Sequence, residues 1–421
     1  MHLLIIGNGF DLAHGLPTRY TDFLKYCRDY SGSNPISKCE TTNNEFLSFI
    51  NENVWLKYFL NSSTNINELS TWIDFEKEIA VVVDFFDEKE LEIKHVNYMD
   101  GSSDIVIEFP NIHLSKFLPI ISSCCKQNER KEFIVTNRTI TDVKALINFL
   151  YFHLKIFARA FEVYCLCINE TIICKDIIST KLKNPIDSAK KEIDTIDKMK
   201  HLSSYEINKR RDGARKFLAS LNSKITPIDY FGLSKFGCVL SFNYTNTYER
   251  LYGTKETQYC YVHGKAQEDS SKTNIIIGID DTLRGGEESK NFKWIRFKKY
   301  YQRIILKTGS EYKNWFNSQD KHGEQNDYVH IVGHSLDKTD HDVLYELFCN
   351  KKFRIIIYYY CQDDFEDKVQ KTIRLLAYKG RNGRDELINR VHGDKWSIKF
   401  LDQYDKLDGL FINNENNADN L

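Results

Sequence analysis

The sequence predicts an α/β fold in which a mostly parallel sheet is interrupted by a large helical insertion. A short apolar run at the N-terminus leads into a glycine-rich turn, and apolar residues then recur at helical spacing through the middle of the chain. From Phe236 onward, short β-rich runs alternate with helical stretches. Such alternation is typical of a parallel sheet that is covered by helices on both faces.

The first strand, turn and helix form the most distinctive stretch. Residues 1–6 are an apolar run of strand length, and Gly7-Asn8-Gly9 follows at once, before Phe10 and Asp11 open a helical stretch. Two glycines spaced by one residue let the backbone turn sharply and approach a ligand closely. A helix that begins there suits a phosphate. The dehydrogenase fingerprint needs a third glycine where Leu12 stands, so the ordinary dinucleotide motif is incomplete.

The middle of the chain is predicted to be helical. Apolar stripes with helical spacing occur at residues 46–56 and 72–86, and the longest amphipathic run covers residues 140–168. Charged residues such as Lys144 and Arg159 interrupt that run, which excludes a membrane span. The polar stretch at residues 181–216 mixes basic and acidic residues and indicates a solvated helix pair.

Short apolar runs predict the remaining strands, at residues 236–242, 258–262, 274–277, 328–332, 353–360 and 396–401. The first strand has no nearer partners, so we expect it to pair with these strands. The predicted organisation is a discontinuous core of residues 1–30 and 236–405, a mostly helical insertion at 31–235, and a disordered tail at 413–421.

Composition narrows the class of protein. The 421 residues are 42% hydrophobic, which is enough for a sizeable core, and the net charge of -1 gives no field that attracts nucleic acid or an anionic membrane. The 11 cysteines are scattered without a Cys-x-x-Cys pair, which favours reduced thiols over disulfides or a zinc module. No signal-peptide pattern precedes the first strand. We therefore expect a cytoplasmic protein.

Polar residues follow the predicted strand ends. The residues directly after four of the runs are Asn243, the pair His263 and Gly264, Asp280, and the trio Gly333, His334 and Ser335. Ligands of doubly wound sheets bind beyond the carboxyl ends of the strands, so we expect these side chains to meet at one site.

A second cluster suggests a competing metal site. Imidazoles and carboxylates crowd one short stretch, at His330, His334, Asp337, Asp340, His341 and Asp342. A strand, turn and helix would point these groups in several directions, and acids early in a helix are satisfied by its dipole. We therefore expect no metal site here.

Several of these motifs resemble one family. Residues 5–23 contain the Gly-x-Gly-Phe-Asp string, Gly15-Leu16-Pro17, and then Thr18, Tyr20, Asp22 and Phe23. This stretch resembles the AbiH family of bacterial phage abortive-infection proteins, and its opening is similar to that of the sirtuin-like superfamily. The segments Ser-Phe-Asn-Tyr-Thr (241–245), Val-His-Gly (262–264) and Val-Gly-His-Ser-Leu (332–336) resemble that superfamily in the same order. The segment at 72–76, which ends at Glu76, is similar to one in AbiH proteins.

The resemblance implies a sirtuin-like, Rossmann-like sheet that binds NAD and cleaves the bond between nicotinamide and ribose. It implies that Asn243 positions water or a ribose hydroxyl, that His263 is the general base, and that Asp11 supplies negative potential beside the sugar. The residues implied to bind the nucleotide are Gly7, Asn8, Gly9, Phe10, Pro17, Gly264, Asp280, Gly333, His334 and Ser335.

Two departures refine this expectation. Asp11 stands where sirtuins carry Ser, so a carboxylate there repels a pyrophosphate unless it binds ribose hydroxyls. Cys260 stands alone where deacetylating sirtuins have paired zinc ligands, so protein deacetylation is not expected.

The resulting hypothesis is a cytoplasmic anti-phage effector that binds and hydrolyses NAD, with a phage-derived trigger or partner protein. One alternative is a non-catalytic nucleotide-binding sensor of a defence system. Another is a metal-dependent nuclease, which requires the His and Asp cluster to converge.

Overall fold

The computed structural model describes twelve stretches of the chain, residues 2–29, 53–62, 75–88, 92–109, 114–129, 132–173, 236–279, 292–317, 327–350, 353–378, 382–392 and 397–402. The chain forms two compact units. The first comprises Met1–Thr18, Ile168–Lys265 and Thr308–Leu421, and the second comprises Arg19–Cys167 and Ala266–Lys307.

The strands within the described stretches are β1 (His2–Ile6), β2 (Glu92–Asn97), β3 (Ser103–Glu108), β4 (Cys125–Gln127), β5 (Phe133–Val135), β6 (Cys238–Ser241), β7 (Gln258–Tyr261), β8 (Asp327–Val332), β9 (Phe353–Tyr359) and β10 (Ile398–Asp402). The α-helices are α1 (Asn8–Ala13), α2 (Tyr20–Asp29), α3 (Val54–Ser62), α4 (Phe75–Glu88), α5 (Leu118–Cys124), α6 (Val143–Ile173), α7 (Thr247–Leu251), α8 (Lys299–Leu306), α9 (Lys313–Asn317), α10 (His341–Cys349), α11 (Gln362–Ala377) and α12 (Gly383–His392). Short 3₁₀ helices lie at Leu114–Phe117, Ser270–Lys272, Phe292–Phe297 and Lys338–Asp340.

The first unit is built on a parallel sheet of six strands. Their order across the sheet is β10-β9-β8-β1-β6-β7, and every neighbouring pair runs parallel. When these six strands alone are numbered along the chain, the order read from β7 is 3-2-1-4-5-6. The expected pairing of the N-terminal strand is confirmed, because β1 lies between β6 and β8 with Ile6 opposite both Ser241 and Val332.

Apolar side chains are buried on both faces of this sheet. Leu3 and Ile5 of β1 belong to one cluster, with Leu344 of α10 and Leu375 of α11 among its members. Leu4 and Ile6 belong to a second cluster, which contains Phe10 of α1 and Tyr248 of α7. Because successive residues of a strand face opposite sides, a strand buried on both sides must be continuously apolar. This explains the Leu-Leu-Ile-Ile run of β1.

Helices of the second unit pack against each other through aromatic side chains. The ring of Phe75 lies 4.5 Å from that of Phe59 and 5.0 Å from that of Phe157. Glu76, at the start of α4, forms a buried ion pair of 2.8 Å with Lys299 of α8. The structure thus gives Glu76 a partner inside this unit.

This unit also contains an antiparallel sheet in the order β2-β3-β5-β4, within the stretch that the sequence predicts to be mostly helical. The hairpin between β2 and β3 turns at Asp100 and Gly101, and Gly101 has a φ of +82°. The carboxylate of Asp100 accepts a hydrogen bond of 2.9 Å from the backbone N–H of Ser102. An Asp-Gly turn between β-branched runs is a hairpin signal, which accounts for strands here.

The strand predicted at residues 274–277 is not a strand. Ile275, Ile276 and Ile277 are buried, but the carbonyl of Ile277 accepts a hydrogen bond of 3.0 Å from the side chain of Gln302. The neighbouring β-contact is a single bridge between Ile279 and Lys298. The side chain of Gln302 therefore donates to a backbone carbonyl that, in a strand, would accept from a neighbouring strand.

Several predictions fall outside the described residues, among them those on Asp280, the stretch 181–216 and the tail 413–421. None of the helices in the described stretches combines the length and the apolar composition of a transmembrane segment.

Candidate functional site

The parallel register aligns four strand ends of the first unit. Val332, Ile6, Ser241 and Tyr261 form one row across β8, β1, β6 and β7. Two positions beyond this row, the chain places His334, Asn8, Asn243 and His263. Neighbouring strands lie about 4.8 Å apart, so the fold gathers these polar residues at one edge of the sheet. The predicted grouping of strand ends thus follows from the observed register.

The loops after β1 and β8 pack against each other backbone to backbone. The N–H of Gly9 donates a hydrogen bond of 2.7 Å to the carbonyl of Gly333. A Cβ atom on Gly9 would lie 2.8 Å from that carbonyl oxygen, and one on Gly333 would lie 2.1 Å from the nitrogen of Phe10. Gly333 also has a φ of +65°, which favours glycine. The absence of side chains at these positions is therefore explained by contact between the two loops.

Asp11 is a buried carboxylate in the first turns after β1. One of its oxygens, Oδ2, accepts a hydrogen bond of 2.5 Å from the hydroxyl of Thr245, and Thr245 in turn accepts one of 3.0 Å from Thr247. Burial raises the pKa of Asp11 from 3.8 to about 6, and the hydroxyl groups and the nearby Asn243 oppose this rise. The second oxygen, Oδ1, has no hydrogen-bond partner within the described stretches.

Asn243 lies beside Asp11, and its backbone makes a hydrogen bond to a neighbouring side chain. Its N–H donates to the hydroxyl of Ser241 at 3.2 Å. Its side chain is only 4% exposed, yet neither the amide oxygen nor the amide nitrogen finds a hydrogen-bond partner among the described residues. The amide is near enough to lower the pKa of Asp11 without forming a hydrogen bond of standard geometry. Three buried polar atoms therefore meet at one corner.

A carboxylate links two histidines from separate strand ends. The Nε2 atom of His263 lies 2.9 Å from one oxygen of Asp340, and the Nε2 atom of His334 lies 3.4 Å from the other. Both imidazoles and Asp340 are buried. The ring of Phe242 contacts both imidazoles, with its centroid 5.5 Å from that of His263 and 4.2 Å from that of His334.

The hydrogen-bond partners assign the protons of these histidines. The Nδ1 atom of His334 accepts the N–H of Leu336 at 2.9 Å, so its Nε2 atom carries the proton. Asp340 accepts a hydrogen bond from the Nε2 atom of His263, which leaves Nδ1 as the ring nitrogen of His263 that can take up a proton. The carboxylate stabilises the positive charge that such an uptake creates, as in a histidine and aspartate pair of a hydrolase.

The other predicted binding residues are placed as follows. The ring of Phe10 is buried in the core, 6.2 Å from that of Tyr248, while Asn8 accepts a hydrogen bond of 2.6 Å from Thr18. Pro17 and Ser335 are exposed, and Gly264 occupies a turn with a φ of +81°. Asp280 lies outside the described residues.

The competing cluster does not converge. The Nδ1 atom of His330 lies 3.1 Å from the hydroxyl of Tyr358, and its Nε2 atom lies 3.3 Å from His2. Asp340 instead joins His263. Among the residues that the structure describes, no group of three or more His, Cys, Asp or Glu side chains is arranged to hold a metal ion.

The sequence reasoning missed two residues of this site. Asp340 appeared only as a helix-start acid in the competing cluster, and its partner His263 lies far away in the chain. Thr245 stands in the sequence only as part of a motif, and its bond to Asp11 joins residues 234 positions apart. The position of Asp340 shortly after the Gly-His-Ser-Leu segment was the available signal.

Comparison with known proteins gives a family match. The model of a family described as "Bacteriophage abortive infection AbiH" matches residues 3–360. No curated protein and no solved structure matches the chain. The matched residues include 3–6 of β1, both histidines beside Asp340, and the corner formed by Asp11 and Asn243. Because the match covers far more than half of the sequence, the chain belongs to the AbiH family of bacteriophage abortive-infection proteins.

Proposed function

We propose that this protein is an abortive-infection effector that binds NAD at a sirtuin-like site and hydrolyses the bond between nicotinamide and ribose. Membership of the AbiH family indicates a role in phage abortive infection. The activity and the ligand are our proposal. They rest on the strand order, on the polar atoms of Asn243 that have no partner among the described residues, and on the pairing of His263 with Asp340.

The strand order supports a dinucleotide ligand. The order 3-2-1-4-5-6 of the first unit is that of doubly wound sheets that bind dinucleotides beyond the carboxyl ends of their strands. Asp11, Asn243 and His263 all follow such ends. This agreement supports the sirtuin-like, Rossmann-like assignment that the motifs imply.

The observation that carries the proposal is the side chain of Asn243. Both its polar atoms are buried, and no described residue pairs with them. A buried polar group without a partner costs about 1–3 kcal/mol, so a native fold retains one where a ligand or water pairs with it. An amide offers one donor and one acceptor, which is what a water molecule or a sugar hydroxyl requires.

The reaction assigns a distinct task to each group. Water attacks the ribose carbon that bears nicotinamide, the carbon–nitrogen bond breaks, and its electron pair leaves with neutral nicotinamide. Asn243 orients the hydroxyl or the water, and the Nδ1 atom of His263 takes the proton that the water loses. Asp340 holds the His263 ring from the opposite nitrogen. The negative charge of Asp11 stabilises positive charge on the sugar.

This activity fits the role of the family. Hydrolysis of NAD removes a cofactor on which the infected cell depends, and the cell stops before new phage are released. A phage-derived trigger then confines the reaction to infection.

The test is to incubate the purified protein with NAD and measure free nicotinamide, alongside calorimetric binding and a plaque assay. Removing a general base typically slows a reaction by about 100-fold to 10,000-fold. We therefore expect His263→Ala and Asn243→Ala to bind NAD, to release nicotinamide far more slowly, and to lose protection from phage. Undiminished cleavage in both variants would remove this mechanism. Protection by a parent protein that binds nucleotide without cleaving it would favour the sensor function instead.

A further inference from the structure

The corner formed by Asp11, Asn243 and Thr245 has a specific hydrogen-bonding capacity. Thr245 occupies one carboxylate oxygen of Asp11 through its 2.5 Å bond, and Thr247 fixes the hydroxyl of Thr245 from behind at 3.0 Å. The other oxygen, Oδ1, and both polar atoms of the Asn243 amide have no partner in the described part of the chain. The corner therefore presents two acceptors and one amide donor.

This capacity selects the chemistry of a ligand. The buried carboxylate needs a donor, so an ionised phosphate, which offers acceptors and negative charge, is excluded from this corner. A hydroxyl group both donates and accepts, so it can donate to Oδ1 of Asp11 and accept from the amide of Asn243. A second, adjacent hydroxyl can donate to the amide oxygen. Two neighbouring hydroxyls match the three atoms.

We infer that Asp11 and Asn243 bind the 2′,3′-diol of a ribose, so that the protein selects ribonucleotides with an unsubstituted diol. The inference rests on the proposed function in one respect, namely that this ribose is the one bonded to nicotinamide. It assigns Asp11 a binding role as an ionised acceptor, which the neutral Ser at the matching position of sirtuins cannot provide. It also explains why a carboxylate stands so close to a nucleotide site.

The test measures whether the contribution of the ribose 2′-hydroxyl to binding affinity depends on Asp11. Two full-length proteins are compared by calorimetry, both carrying His263→Gln so that no ligand is consumed, and one carrying Asp11→Asn in addition. The ligands are NAD and its analogue with 2′-deoxyribose on the nicotinamide side. A hydrogen bond to a charged group is stronger than one between neutral groups. We expect the analogue to bind about 10- to 100-fold more weakly than NAD when Asp11 is present. With Asp11→Asn, that ratio should fall at least about fivefold.

A matched control uses the second buried carboxylate at this edge. Asp340→Asn, in the same His263→Gln protein, should leave the ratio of the two affinities unchanged, since the contacts described for Asp340 are with the two imidazoles. The comparison of ligands in the protein that retains Asp11 needs no folded Asp11 variant, so it stands even if that variant fails to fold.

A second pair of ligands separates this inference from the proposed function. ATP and 2′-deoxy-ATP differ by the same hydroxyl but carry no nicotinamide. Failure of NAD to bind, with ATP preferred over 2′-deoxy-ATP in an Asp11-dependent manner, would remove the proposed hydrolysis and support the diol site. Equal binding within each pair would overturn the diol site, and nicotinamide release by the parent would then leave the proposed function standing. Absence of binding by all four ligands overturns both.

Discussion

Replacing Asp11 by Asn should stabilise the first unit at neutral pH. The pKa of Asp11 is about 6 in the folded protein against an ordinary value of 3.8. Between these two values the folded state holds the proton more firmly than the unfolded state does. The stability that the folded protein has with Asp11 protonated is therefore fully present below pH 3.8 and is lost as the pH rises through 6. A shift of about two units, at 1.36 kcal/mol per unit, corresponds to about 3 kcal/mol.

The substitution removes this loss because an amide keeps the shape of the carboxylate without its charge. The oxygen of Asn can still accept the hydroxyl of Thr245, so the bond at Oδ2 has a neutral counterpart. We expect the variant to exceed the parent by about 2–3 kcal/mol at pH 7.5 and to match it near pH 4. Such a gain is typical of a residue that is kept for function at a cost in stability.

Hydrogen exchange measured by mass spectrometry suits the assay, because peptides that contain β1 report on the first unit alone. The free energy of opening is compared between parent and variant, without nucleotide, at pH 7.5, 6 and 4. Asp363→Asn, at an exposed position of α11, makes the same chemical change and should stay within about 0.5 kcal/mol of the parent. The reasoning would be refuted if the variant were less stable than the parent at pH 7.5. It would also be refuted if the difference in the free energy of opening were the same at all three pH values.

Three further predictions concern the same unit. Asp340→Asn should slow nicotinamide release by about 100-fold or more with little change in NAD affinity, since the ring of His263 loses its fixed orientation; an unchanged pH–rate profile would contradict this. Gly333→Ala should destabilise the unit by more than about 1 kcal/mol, because its φ is +65°, whereas Gly237→Ala, which meets no described atom within 4 Å, should be neutral in a thermal-shift assay. Burial lowers the pKa of His330 from 6.5 to about 3, so the unfolded state gains the proton first and stability falls as the pH drops below 6.5; His330→Gln should flatten that loss in acid denaturation.

The sheet was predictable because its signals are local. The continuous apolar run of β1 and the runs that became β6 to β9 mark strands that are buried on both faces. The glycine turn was also visible in the sequence, but its reason was not. The sequence favours a close approach of Gly9 to a ligand, whereas the structure shows Gly9 against Gly333. Gly9→Ala therefore tests loop packing as much as binding.

The site was predictable in part for a related reason. A polar residue after a strand end can be read from the sequence, so the sequence predicts that Asn243, His263 and His334 lie at one edge of the sheet. The partner of such a residue depends on which loops meet in space, and sequence distance hides this. Asp340 joins His263 across 77 positions. In the second unit, strand β2 was missed because it carries Glu92 and Lys94 beside Ile93, so its apolar alternation is weak.

The place of β1 in the middle of its sheet has a consequence for synthesis. β1 leaves the ribosome before its partners β6 and β8, which begin at Cys238 and Asp327. At about 5–20 residues per second, the apolar N-terminal strand waits on the order of 10–50 s for its first neighbour. During that time Asp11 exists without Asn243 or His263. The polar residues of the candidate site therefore come together only after most of the chain has been translated.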